Sequence, residues 1–335
     1  MTGLADRLAA RTLELIDIPS ESRHEAALAG HVASVAGAED LGDTCLLVRR
    51  GAPVLLAGHL DTVPAQDNVP GRIEGGRVHG LGASDMKGAL AVMVELALAG
   101  APFDCLFFGR EELPIAESAL AALLERERLD YELVVMMEPT DNELHAGCLG
   151  NMSATWTFHG RSGHSARPWF ADNAIHAAAR GIAALARHER HECTFDGLSF
   201  YEVASVTQIH GGIAQNVIPD RVDCHVNYRF APGRSPRAAE ARLRELCEGG
   251  ELTIDSLAPS GPVATSNPRA RALIAAGGLF VAPKQAWTPV AEFGQAGLDA
   301  VNFGPGDPPQ AHTREESVEI AALVRAYEVL ERFGA

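Results

Sequence analysis

The run Val54-Leu55-Leu56-Ala57-Gly58-His59-Leu60-Asp61-Thr62-Val63-Pro64 constrains this chain more than any other stretch. Its apolar start reads as a buried strand, with no polar face turned to water. The strand ends by delivering His59 and Asp61, two positions apart, so in extended chain both side chains leave on the same side. An imidazole beside a carboxylate is either a satisfied core histidine or a metal ligand with its orienting partner. One short motif does not decide between them.

Recurrence decides. Cys105-Leu106-Phe107-Phe108 is a second apolar run that leads to Glu111-Glu112, and Leu133-Val134-Val135-Met136-Met137 is a third that stops at Glu138. Helical stretches separate them: Gly88–Leu98, apolar nearly all round, and about Glu117–Arg128. Continuous apolar strands alternating with helices predict an α/β fold whose mostly parallel sheet lies between helices. Ligands of such sheets bind beyond the carboxyl ends of the strands. His59, Asp61, Glu111, Glu112 and Glu138 all stand at such ends, so metal-type side chains crowd one rim.

Around this core, Leu4, Leu8, Leu15 and Ile16 predict an opening helix closed by Pro19, and Ser22 with Glu25 has capping-box spacing for a second. From about Gly150 the period changes to two, with Ala154, Trp156 and Phe158 alternating with polar residues. A helix about 173–188, strands about 200–209 and 222–230, a helix about 236–247 and a strand about 251–257 follow. The order βαββαβ predicts an inserted ferredoxin-like domain. The expected boundaries are 1–149 and 260–335 for the two parts of the main domain and 150–259 for the insertion. Asn267-Pro268 opens a further helix, and Ile320, Leu323, Val324, Tyr327 and Leu330 stripe a last one.

A formal charge of −16 disfavours nucleic acid and anionic membrane as partners. The stretch from Met1 to Asp6 lacks the basic and apolar regions of a secretory leader, and no apolar run approaches membrane-spanning length. The six cysteines occur singly, which predicts reduced thiols and a cytoplasmic protein.

A hydrolytic two-metal site needs an anionic bridge, nitrogen and oxygen ligands for each ion, and a free carboxylate to work on water. The sequence supplies His59, Asp85, Glu112, Glu138 and His312 as ligands and leaves Glu111 as the base. Mixed imidazole and carboxylate ligands favour two Zn²⁺ ions, with Co²⁺ or Mn²⁺ as substitutes.

In this order, His59-Leu60-Asp61-Thr62-Val63-Pro64, Asp85-Met86-Lys87-Gly88, Glu111-Glu112, Glu138-Pro139-Thr140 and His312 resemble the di-zinc amidohydrolases. That family includes acetylornithine deacetylase, aminoacylase, carboxypeptidase-like enzymes and succinyl-diaminopimelate desuccinylase. The actinobacterial-type desuccinylases are resembled further through Asp17-Ile18-Pro19-Ser20-Glu21-Ser22-Arg23, Gly163-His164-Ser165-Ala166-Arg167, Asn216-Val217-Ile218-Pro219, Asn227-Tyr228-Arg229-Phe230-Ala231-Pro232 and the run from Val301 to Pro308. The resemblance covers nearly the whole chain. It implies a zinc-exopeptidase-like catalytic domain in which His59 and Glu138 hold one zinc, Glu112 and His312 the other, and Asp85 bridges. It also implies that Asp61 orients His59, that Glu111 is general base and then general acid on a metal-bound water, and that the inserted domain pairs two copies into a homodimer. His164 then reaches the partner's site to stabilise the oxyanion, and Asn216 and Arg229 match positions that contact substrate. Arg167 and Thr288 are further candidate substrate contacts, Arg167 placed to reach the same pocket from the inserted domain. The implied reaction is hydrolysis of N-succinyl-L,L-2,6-diaminopimelate; related N-acyl amino acid deacylases and dipeptidases share the motifs. A non-catalytic binding protein on this scaffold would have lost a ligand or the base, and none is missing.

Two residues depart from the pattern. Gly109-Arg110 stands where the family often has Gly-Asp, and Glu292 stands where the desuccinylases have an Arg that holds a substrate carboxylate. A carboxylate at that position repels another unless it is paired or turned away.

Overall fold

The computed structural model describes residues 3–335; Met1 and Thr2, which open the N-terminal stretch read above, lie outside the described residues. The chain forms two compact units. One runs to Gly147 and resumes over Gly261–Lys284 and Thr288–Ala335; the other comprises Cys148–Ser260 and Gln285–Trp287.

An eight-stranded sheet organises the first unit. Its spatial order is Glu39–Gly42, Cys45–Val48, Asp104–Phe108, Val54–His59, Leu133–Met136, Ala300–Asn302, Leu144–Ala146 and Val281–Pro283. The four strands from Asp104–Phe108 to Ala300–Asn302 are mutually parallel. Antiparallel pairs join Cys45–Val48 to its two neighbours and Ala300–Asn302 to Leu144–Ala146. The mostly parallel centre matches the apolar runs, since every residue of Val54–His59 and of Asp104–Phe108 is buried. Helix Gly88–Leu98 is buried from Gly88 to Ala97, which explains its lack of a polar face. It packs on those two strands beneath helices Leu4–Ile16 and Ile320–Gly334. Leu90 on this helix is fully buried, so its truncation to Ala costs about 2–5 kcal/mol.

The second unit carries an antiparallel sheet in the order His191–Phe195, Leu198–Gly211, Arg221–Phe230, Gly150–His159, Glu251–Ala258. Without its first strand this is the ferredoxin-like arrangement expected of βαββαβ. Met152, Ala154, Trp156 and Phe158 on one strand and Val222, Cys224, Val226, Tyr228 and Phe230 on its neighbour alternate into one core. Ala174 and Ala178 of helix Ala174–Leu185 and Leu243 of helix Pro236–Leu246 cover them.

One element goes unread in the sequence and one local expectation is corrected. The hairpin of Arg72–Glu74 with Arg77–His79 leaves no sequence signal, because three-residue strands are too short to show a period. The capping box at Ser22 and Glu25 does not form: helix Ala26–Ala36 starts without a side-chain cap. Ser22 Oγ donates to Asp61 instead, and Glu25 accepts from the backbone N–H groups of Arg23 and Arg110. Both side chains serve the rim of the sheet.

Candidate metal centre

His59 closes the central strand Val54–His59 and is 1% exposed. Its Nδ1 donates to the backbone oxygen of Asp61 at 2.9 Å, which turns Nε2 into the site, 3.1 Å from Asp85 Oδ1. The orienting contact is therefore the carbonyl of Asp61, whereas its carboxylate lies 3.7 Å from Nδ1 and has other partners. Asp61 Oδ1 accepts from the N–H of Glu111 at 3.0 Å and Oδ2 from that of Glu112 at 3.1 Å. Ser22 Oγ adds a bond of 2.7 Å to Oδ2. One buried carboxylate thus fixes the backbone of the paired acids.

Asp85 sits in a turn, Ala83–Lys87, whose backbone leaves helical geometry at Asp85 and Met86. Gly58 explains how that turn lies against the strand: a Cβ there would meet Met86 Cε at 2.7 Å and Leu90 Cδ2 at 2.8 Å. His59 N–H also donates to Met86 Sδ at 3.2 Å. The paired acids follow Arg110, whose φ of +58° is a conformation that Asp adopts more readily than Arg. Here the guanidinium secures it, bonding to Asp43 Oδ2 at 2.7 Å and to the carbonyl of Glu117 at 2.7 Å.

The expected ligands fall into two triplets. In the first, His59, Asp85 and Glu138 offer atoms within 4.8 Å of one another; in the second, Asp85, Glu112 and His312 do the same. Asp85 belongs to both. His312 Nε2 is 2.9 Å from Glu112 Oε1 and 3.6 Å from Asp85 Oδ2. Glu111 groups with His59 and Glu112 but with neither triplet built on Asp85.

The electrostatics are those of a site short of positive charge. Burial opposes charge on His59, yet Asp85, Glu111 and Asp61 outweigh it and raise the imidazole well above its ordinary range. Asp85 and Glu112 hold His312 protonated, with its pKa raised to about 10. Burial and the neighbouring Asp85 push Glu138 up to about 7; burial, with Glu138 and Glu112 beside it, raises Glu111 well above the carboxylate range. Five carboxylates, those of Asp61, Asp85, Glu111, Glu112 and Glu138, face two imidazoles. Glu138 Oε1 is buried without a hydrogen-bond partner among the described residues. An unpaired buried carboxylate oxygen is costly, and a divalent cation satisfies it together with a nitrogen and oxygen donor set of this kind.

The other expected residues are placed as follows. In the second unit, Gly163–His164 pairs with Val217–Ile218, and Ser165 N–H donates to the carbonyl of Asn216 at 3.0 Å, so His164 and Asn216 share one short ribbon. His164 Nδ1 accepts the Ala166 N–H at 3.0 Å, and Arg167 N–H donates to the carbonyl of His164 at 2.9 Å. Arg229 Nε donates to Asn227 Oδ1, and no carboxylate pairs with its half-buried guanidinium among the described residues. In the first unit Thr288 is 1% exposed, and Glu292 turns inward, accepting from Ser118 Oγ at 2.7 Å. Residues that no motif singled out also shape the site. Lys284 Nζ donates to the carbonyl of Pro139 at 3.0 Å beside Glu138, and Glu316 accepts three backbone N–H groups from the Asp85 turn.

Among the described residues, no helix is long and apolar enough to cross a membrane. The chain is 39% identical over 341 residues, 96% of each chain, to a Mycobacterium tuberculosis protein with the provisional name succinyl-diaminopimelate desuccinylase DapE. It is 32% identical over 348 residues, 94% of each chain, to the succinyl-diaminopimelate desuccinylase of Corynebacterium glutamicum. Its fold is similar to that of aminopeptidase PepT from Bacillus cereus, with a TM-score of 0.78 at 19% identity over 98% of this chain and 97% of the other. Residues 55–334 match the model of peptidase family M20/M25/M40, and with its sheet, its inserted ferredoxin-like unit and its rim of ligands the chain belongs to that family.

Proposed function

We propose that the chain hydrolyses the amide bond of N-succinyl-L,L-2,6-diaminopimelate, releasing succinate and L,L-diaminopimelate. The observation that carries the chemistry is the pair of triplets sharing Asp85, with Glu111 beside them and outside both. The names of the two long relatives support the substrate.

His59 and Glu138 would hold one divalent ion and Glu112 and His312 the other, with Asp85 serving both; zinc suits the donors best. When bound, the ions supply Lewis-acid polarisation of the scissile carbonyl and acidify water. Glu111 does the proton work. Its carboxylate takes a proton from water as the oxygen adds to the carbonyl carbon, then gives that proton to the departing amine nitrogen as the C–N bond breaks. Asp61 keeps Glu111 and Glu112 in place through their backbone N–H groups. The inserted unit pairs two copies, and His164 of one copy donates to the oxyanion in the other. Arg229, with no carboxylate partner among the described residues, is suited to a substrate carboxylate, with Asn216, Arg167 and Thr288 as further contacts. The single spacing of the six cysteines supports a place in the reducing cytoplasm.

The test is kcat/KM for succinyl-diaminopimelate against acetylornithine, N-acetylated amino acids and simple dipeptides. A preference of at least about tenfold for the succinylated substrate is expected, or about 1.4 kcal/mol in transition-state binding. The reverse preference moves the chain to a sister deacylase with the same mechanism.

A further inference from the structure

Glu316 lies four residues beyond His312 and is 2% exposed. Its side chain reaches the other loop of the site: Oε2 accepts the Gly82 N–H at 2.8 Å, and Oε1 accepts those of Ser84 and Asp85, each at 2.9 Å. Its own carbonyl accepts from Gly80 N–H at 3.0 Å, and the next residue, Ser317, pairs with His79. The segment after His312 is therefore laced to the turn before and at Asp85 by four backbone donors, three of them on one carboxylate.

That turn needs an external brace. Gly82 has φ of +78°, and Asp85 and Met86 depart from helical angles, so no regular ladder satisfies these N–H groups. A carboxylate taking three of them satisfies the donors and fixes their directions together. Lys87, also 2% exposed, lies near enough for the Glu316 carboxylate to favour its charge, and its Nζ is held at 2.8 Å by the carbonyl of Ile18.

We propose that Glu316 is a positioning residue for both ion sites: it sets Asp85, the shared ligand, in register with His312. The inference rests on the metal reading given above. Movement of the turn displaces Asp85 from His59 and from His312 at once, so this one side chain governs two triplets that it does not join.

The test is zinc binding to the full-length protein, measured by competition with a chromophoric chelator, together with Tm with and without zinc. In Glu316→Gln a single carbonyl oxygen remains and an NH₂ group faces an N–H donor. Zinc affinity is expected to fall by about 10–100-fold, and the rise in Tm on adding zinc to shrink accordingly. Glu316→Asp keeps the charge but shortens the reach, and is expected to fall between wild type and Glu316→Gln. Asp104→Asn is the control, a buried carboxylate that accepts from the N–H groups of Arg50 and Ala52 and from the Tyr131 hydroxyl and belongs to neither triplet; it lowers Tm and leaves zinc affinity unchanged. Wild-type zinc affinity in Glu316→Gln overturns the inference, as does an equal loss of Tm with and without zinc, or failure of both Glu316 variants to fold. A wild-type protein that binds no zinc overturns the ion site itself and this inference with it.

Discussion

Ser118 Oγ donates a hydrogen bond of 2.7 Å to Oε1 of Glu292, whose side chain is almost wholly buried. The same Ser118 oxygen accepts the Ala121 N–H at 3.1 Å and so caps helix Ala119–Arg126. Glu292 therefore serves a helix start rather than facing a ligand, which removes the repulsion its sequence position suggests. The bond satisfies one oxygen of the carboxyl group; the other, Oε2, is buried without a hydrogen-bond partner among the described residues.

Burial raises the Glu292 pKa from 4.5 to about 7. The folded state then holds a proton that the unfolded chain has lost between pH 4.5 and 7, so this group's contribution to stability falls as pH rises through that window. The loss reaches about 3 kcal/mol above pH 7. Urea unfolding of Glu292→Gln is expected to match wild type near pH 4.5 and to exceed it in stability at pH 8. A difference independent of pH would show that Glu292 is not protonated in the fold.

The shared position of Asp85 has a measurable consequence. Elemental analysis of the desalted protein is expected to find about two divalent ions per chain in wild type. Asp85→Ala removes a ligand from both triplets and should retain almost none, whereas His312→Ala touches one triplet and should retain about one. Equal retention by the two variants would mean that Asp85 does not bridge.

The proposed mechanism gives the neighbours Glu111 and Glu112 separate tasks. Glu111→Ala is expected to lose about 10²–10⁴-fold in kcat and to keep its metal content. Glu112→Ala should lose metal as well as rate. Loss of metal from Glu111→Ala reverses the assignment of the pair.

What was legible in the sequence is what strands broadcast locally. The strands Val54–His59, Asp104–Phe108 and Leu133–Met136 each carry an unbroken apolar run, and the parallel rule carries their carboxyl ends to one rim. What was illegible depends on partners distant in the chain. Ser22 and Glu25 have the spacing of a capping box, but Asp61 and the Arg110 backbone outbid the helix for their side chains. The contribution of Asp61 through its carbonyl, and the grip of Glu316 on a turn more than 200 residues away, are tertiary contacts without a local period. Glu292 reads as a charge facing substrate until Ser118 is seen beside it.

The orientation of His164 supports one last prediction. Because Nδ1 accepts the Ala166 N–H, the neutral ring carries its proton on Nε2, the tautomer an oxyanion donor requires. The ribbon with Val217–Ile218 fixes the backbone on either side. If two copies pair through their inserted units and His164 acts in the partner's site, Glu111→Ala and His164→Ala chains are each inactive for a different reason. A mixed dimer then holds one site with both groups intact. Mixing the two variants under conditions that exchange subunits is expected to restore activity, up to about a quarter of wild type, since half the dimers are mixed and each of these has one competent site. Subunit exchange shown by differently tagged chains, without any recovery, places His164 in the site of its own chain or outside catalysis altogether.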